Sequence, residues 1–88
     1  MITVTESAKE ELKAIFIASG ADPEQGLRLL PTPDGRFVLA LDTELPGDEV
    51  VEYEGAKVLL VGIEYFNILD GKTIDCHDTE DGPVLFLR

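Results

Sequence analysis

The sequence contains one cysteine, one histidine and no tryptophan. With Cys76 alone no internal disulfide forms, and the metal patterns built from paired cysteines or paired histidines cannot be assembled within one chain. A metal site would need oxygen ligands or a second subunit. Basic residues are also scarce: seven lysines and arginines face eighteen acids, for a net charge of -11. Nucleic acid and anionic membrane are polyanions bound through Lys and Arg, so neither is expected as a partner. The expected partner is basic, neutral or metallic. Long apolar runs are missing too, since the longest, Val58 to Ile63, falls far below the roughly 18 residues of a membrane span. The opening Met1-Ile2-Thr3-Val4-Thr5-Glu6 has no basic region followed by an apolar stretch, so no secretory signal is read and a cytoplasmic location is expected. No repeat, linker or low-complexity tract divides the 88 residues, which are expected to form one domain, 1–88.

Hydrophobic residues make up 44% and charged residues 28%, the composition of a folded globular chain. Glu6 to Ser19 carries Ala8, Leu12, Ile15, Phe16 and Ser19 at helical spacing, with Thr5 or Ser7 as N-cap and Ser7-Ala8-Lys9-Glu10 fitting a capping box. Gly20 and Asp22-Pro23 end it. Leu27 to Leu30 reads as a strand closed by the turn Pro31-Thr32-Pro33-Asp34-Gly35. The run Phe37-Val38-Leu39-Ala40-Leu41 is apolar on both alternating faces, which predicts a central strand covered on both sides. Glu49 to Tyr53 and Ala56 to Val61 read as a hairpin about Glu54-Gly55, where glycine supplies the positive φ of a tight turn. Glu64 to Leu69 reads as a short helix. Thr73 to Cys76 is a brief strand, His77 to Pro83 a polar turn, and Val84 to Leu87 a last strand.

Cys76 and His77 are the sharpest chemical candidates, because thiolate and imidazole are strong ligands for zinc, copper and iron–sulfur centres. Adjacent strand residues point to opposite faces, so both reach one ion only if the backbone turns between them. Otherwise Cys76, alternating with Ile74, reads as a small core residue and His77 as a surface histidine. Asp75, Asp78, Glu80 and Asp81 offer hard oxygen ligands, but an EF-hand register counted from Gly82 puts Arg88 where the last ligand belongs. That cluster reads as a solvated turn. Both serines lie in or at the end of the helix and the one histidine has no partner nucleophile, so no catalytic triad can be built and no enzyme is expected.

Short stretches of the sequence agree with one family in order and spacing. Ile2-Thr3-Val4-Thr5 with Ala8 looks like an "I-x-[LV]-T-x-x-A" helix entry. Asp48-Glu49-Val50, Gly55 and Val58 are similar to a "D-x-V-x-x-x-x-G-x-x-[VI]" hairpin. Leu69-Asp70-Gly71-Lys72-Thr73-Ile74-Asp75 matches "L-x-G-x-x-I-D" without a gap. On these residues the chain resembles the HesB/IscA family, the A-type iron–sulfur carrier proteins. The resemblance implies a mostly β, α+β fold: a compact HesB-like sandwich or barrel of at most seven short strands, with one N-terminal amphipathic helix and a short second helix. It implies that Leu12, Ile15 and Phe16 pack on Phe37, Leu39, Val58 and Leu60, with Tyr53 and Tyr65 near the rim.

The family holds iron or a cluster with three cysteines, in a Gly-Cys-Ser-Gly segment and a late Cys-Gly-Cys tail. Here Arg36 follows Gly35 where the first cysteine is expected, the sequence reaches Arg88 without the other two, and Cys76 stands at a family position that is not a ligand. The resemblance therefore implies a protein without the cysteine triad and with no cofactor. Its expected role is that of a non-catalytic binding or accessory protein linked to iron–sulfur protein maturation, which binds a protein partner with a basic or neutral surface and is able to form a homodimer. The alternative is a carrier of iron or an iron–sulfur cluster, its metal held at a dimer interface by two copies of Cys76 and His77. A ligand pocket between helix and sheet is a third reading.

Overall fold

The computed structural model describes residues 2–88. Strand β1 (Thr3–Val4) leads directly into helix α1 (Glu6–Ala18). The Thr5 Oγ1 accepts the Ala8 backbone N–H at 3.2 Å, so Thr5 is the N-cap and the capping box on Ser7 goes unused. At the other end Ser19 caps through the Ile15 carbonyl, and Gly20 adopts the left-handed φ of 68° that lets the chain leave the helix.

Six further strands follow: β2 (Gln25–Pro31), β3 (Phe37–Thr43), β4 (Glu49–Tyr53), β5 (Ala56–Val61), β6 (Thr73–Thr79) and β7 (Gly82–Leu87). A 3-10 turn (Ile63–Tyr65) runs into the short helix α2 (Phe66–Leu69) between β5 and β6, as the sequence pattern implies. The strands make two open, mixed sheets, one ordered β3-β2-β5-β4 and the other β1-β6-β7. Neither closes on itself, so of the two architectures expected, sandwich or barrel, the sandwich-like arrangement is the one formed. In the larger sheet β2 and β5 are parallel, and in the smaller one β1 and β6 are parallel; the remaining pairs are antiparallel.

Ala8, Leu12 and Phe16 of α1 meet Leu27, Leu29, Val58, Leu59 and Val61 of the central strands and Ile74 of β6 in one buried cluster. Phe37, Leu39, Ile15, Tyr53 and Tyr65 pack against its margin. Leu60 departs from the expected packing: it is buried in register with Arg28, outside that cluster. Strand β3 departs as well, for it lies at a sheet edge and not at the centre. Its apolar run is covered on one face only, leaving Val38 53% exposed. The central places belong to β2 and β5.

The polar turn expected from His77 to Pro83 is shorter than the sequence suggests. Strand β6 continues through Thr79, with His77 opposite Val84 and Thr79 opposite Gly82, and only Glu80 and Asp81 turn. Among the described residues no helix is long and apolar enough to cross a membrane.

Candidate functional site

Because β6 stays extended, Cys76 and His77 project to opposite faces of its sheet. Cys76 stands opposite Leu85, half-buried against the core. Burial pushes its thiol above the ordinary range, and the carboxylates of Glu11, Asp78 and Asp75 push it further in the same direction. A reactive thiolate needs a positive neighbourhood, and this one is negative. His77 is exposed on the other face, its ring tilted against Phe86 with centroids 4.9 Å apart.

The acidic residues around them have structural uses. The Asp75 carboxylate accepts from the Cys76 backbone N–H at 2.8 Å, from the Thr5 hydroxyl at 2.9 Å and from Arg88 Nε at 3.1 Å, fastening α1 and the last residue to β6. These bonds, the Cys76 N–H foremost, hold its carboxyl below the usual range. Asp78, Glu80 and Asp81 are exposed, and the Glu80–Asp81 turn is closed by Thr79, whose hydroxyl donates to the Gly82 carbonyl at 2.8 Å. Among the described residues no three His, Cys, Asp or Glu side chains converge as a metal site.

A different polar centre, absent from the sequence reading, lies on the far side of the four-stranded sheet. Arg28 of β2 is only 7% exposed. Its Nη1 and Nη2 grip the two oxygens of Asp48 at 3.2 and 2.7 Å, its Nε donates to Asp42 at 2.5 Å, and Nη2 also reaches the Thr43 carbonyl at 3.1 Å. Asp48 in turn accepts the Leu45 N–H at 2.7 Å, while Asp42 accepts the Thr43 N–H at 2.8 Å. The forked, two-oxygen grip is the geometry for which arginine is suited. The arginine is held firmly charged, chiefly by its hydrogen bond to Asp48, and both carboxyls lie below their usual range, chiefly because of Arg28. The only hint in the sequence is an arginine inside an apolar strand, Leu27-Arg28-Leu29-Leu30, with aspartates at both ends of the loop after the next strand, Asp42 to Asp48.

This clamp fixes the β3–β4 loop. The secured end of the loop, Gly47 to Glu49, forms one wall of a cleft of about 450 Å³ whose other walls include Ile2, Val61, Phe66 and Leu69. Among the described residues no lysine or arginine lines it.

No protein-family profile matches the sequence, and no curated protein matches it. Solved structures do match over its whole length. Escherichia coli SufA, described as involved in biosynthesis of iron–sulfur clusters, is 22% identical with a TM-score of 0.71, over 99% of this chain and 83% of SufA. A protein from Aquifex aeolicus is 25% identical with a TM-score of 0.70, over 99% of this chain and 89% of its own. IscA with the [2Fe–2S] cluster is 17% identical with a TM-score of 0.67, over 100% of this chain and 84% of IscA. The chain thus has the HesB/IscA-like fold that its sequence resembles.

One expectation is corrected by these neighbours. Absence of a cofactor was inferred from the missing cysteine triad, yet IscA, with the same fold, carries a [2Fe–2S] cluster. Within one copy of the present chain the donors do not fit such a group. Cluster iron is held by thiolates, and the single thiol here is half-buried among carboxylates that disfavour its ionised form.

Proposed function

We propose that this chain is a non-catalytic binding or accessory protein of iron–sulfur protein maturation, which works by engaging a protein partner of basic or neutral surface. The observation that carries this reading is the HesB/IscA-like fold along the whole chain, shared with SufA and IscA. The net charge of -11 supports the kind of partner, because an acidic surface accelerates encounter with a basic one and repels polyanions. The Cys76 and His77 geometry supports a role that does not run through a thiolate pair in one chain.

The test is made in cells that lack the chain. Enzymes that require iron–sulfur clusters should lose activity while their polypeptides stay at normal levels, and both wild type and Cys76→Ala should restore them. Unchanged cluster enzymes would remove the link to maturation. Restoration by wild type alone, together with iron and sulfide retained in anaerobic reconstitution only when Cys76 is present, would replace the accessory role with a carrier whose site is built between subunits.

A further inference from the structure

The strands at the edges of the two sheets are β3, β4, β1 and β7. An edge offers unpaired N–H and C=O groups to any second strand unless it is short, charged, interrupted by proline or bent by a bulge. All of these edges but β3 are guarded in such ways. Strand β1 has two residues, and β4 carries Glu49 and Glu52 with a register shift between Val51 and Glu52. In β7 the guard is Pro83: Thr73 and Arg88 exchange both bonds of their pair, so by alternation residue 83 turns its backbone away from β6, where proline presents no N–H. Strand β3 has no such device. Phe37 to Leu41 contains neither charge nor proline, and β3 pairs with β2 along its whole length without a shift. The Thr32 N–H donates to the Arg36 carbonyl at 2.9 Å, which makes 32 and 36 a bonded pair of that ladder. By the same alternation Phe37, Leu39 and Leu41 turn their N–H and C=O groups outward, and among the described residues no backbone group meets them.

We propose that two copies of this chain pair antiparallel along β3, with Leu39 of one facing Leu39 of the other across a two-fold axis, so that the two four-stranded sheets become continuous. This register uses every outward residue of the apolar run, since Phe37 then faces Leu41 of the second copy, and each facing pair exchanges both of its hydrogen bonds. It also sets Arg36 opposite Asp42 of the second copy at both ends of the contact. The Arg36 side chain is 84% exposed, and that of Asp42, although bonded to Arg28, is still 41% exposed. Between these ion pairs Val38, 53% exposed, faces Ala40 of the second copy, and the two cover each other on the open face of the sheet. Sliding the copies until Leu39 faces Phe37 would put Ala40 opposite Arg36 and lose both ion pairs. A strand with a cation at one end and an anion at the other complements itself only when it is reversed against its own copy, which is what selects a second copy as the occupant. The net charge of -11 on each copy opposes the contact and keeps it reversible. Cys76 and His77 lie on the other sheet and take no part, so the pairing stands or falls apart from any link to maturation.

Sedimentation equilibrium of the full chain, from about 10 μM to 1 mM, should show monomers in equilibrium with dimers. Over the same range the amide protons of Phe37, Leu39 and Leu41, open to solvent in the monomer, should become protected from hydrogen exchange in 15N spectra. Arg36→Asp sets like charges opposite each other at both ends and should weaken dimerisation about tenfold or more, while Arg36→Lys should preserve it. Ile68→Glu, in the exposed apolar surface of α2, should leave it unchanged. The register is read by mild oxidation in a Cys76→Ala background, which removes the one native thiol. A mixture of Val38→Cys and Ala40→Cys chains should cross-link, because 38 and 40 of the two copies form a closely spaced non-bonded pair, and either variant alone should cross-link much more slowly. A chain that stays monomeric to about 1 mM overturns the proposal, as does dimerisation indifferent to Arg36→Asp. Weakening by Ile68→Glu, or protection centred on other amides, would mean self-association through another surface and overturns it too. Cross-linking of either single variant as fast as the mixture would mean a different register, which removes the Arg36 and Asp42 pairing and with it the proposal.

Discussion

Arg28 keeps its charge inside the protein because the groups that replace its water are themselves charged or fixed: two carboxylates and one carbonyl, all within 3.2 Å. Such pairs are costly to break from one side. Arg28→Met would leave Asp48, whose side chain is 2% exposed, ionised and unpaired, and is expected to lower stability by about 3 to 5 kcal/mol in urea unfolding. The double variant Arg28→Met with Asp48→Leu should recover most of the loss, and a double variant no better than the single would show that the clamp acts otherwise. The sign of the pH effect follows from the direction of the shift. The folded Asp48 carboxyl lies below its ordinary value of 3.8, so its contribution is present above that pH and disappears as pH falls through the lower folded value. Cys76 carries the opposite shift. Its raised thiol should react with a disulfide probe at pH 7.5 about tenfold or more slowly than an unstructured cysteine peptide, with the deficit abolished in urea. A native rate equal to that of the peptide would show an open, ionised thiol and return Cys76 to consideration as a ligand.

At the scale of elements, the hairpin between β4 and β5 shows both what a sequence announces and what it conceals. Glu54 and Gly55 occupy its two turn positions with φ of 50° and 82°, the pair of positive values that a two-residue turn of this hand demands. Glycine in that place was legible; glutamate there was not, since it tolerates positive φ poorly. Its side chain bonds Lys13 of α1 at 3.0 Å, but at 62% exposure that ion pair contributes little. Glu54→Asn should therefore stabilise the protein by up to about 1 kcal/mol, seen as a rise of a few degrees in Tm. A lower Tm would mean that the tie to α1 outweighs the backbone strain. Helix α1 was readable because its stripe, caps and terminal glycine agree. The place of β3 was not: an apolar run reports burial potential, while coverage depends on which strands pair, and the parallel β2–β5 contact that puts β3 at the edge joins segments about thirty residues apart. The extent of β6 was hidden for a related reason. His77, Asp78 and Thr79 look like turn residues, yet pairing with β7 holds them extended on an exposed stretch where their polarity costs nothing. The same long-range assembly made the candidate sites hard to read: it separates the adjacent Cys76 and His77 and unites the distant Arg28, Asp42 and Asp48.

For the whole molecule, eighteen acids against seven bases set two effects of pH against each other. Self-repulsion in the compact state is greatest at neutral pH and relaxes as the charge of -11 falls toward zero at the isoelectric point near 4.2. The specific bonds of Asp48, Asp42 and Asp75 act in the other direction, but their carboxyls are held below the ordinary 3.8 and stay ionised through that range. Repulsion is thus relieved before the pairs are lost. Stability at low salt should accordingly rise from pH 7 to a maximum at about pH 5, then fall steeply below about pH 4 as the paired aspartates take up protons. Urea midpoints measured across this range give the profile directly. Added salt separates the two causes, because about 0.5 M NaCl screens the diffuse repulsion and leaves the buried Arg28 clamp largely intact. It should raise the neutral-pH midpoint toward the acid maximum and change the fall below pH 4 much less. A midpoint that declines steadily from pH 7 downward at low salt would show that the acidic residues are spread or paired well enough to cost the fold nothing.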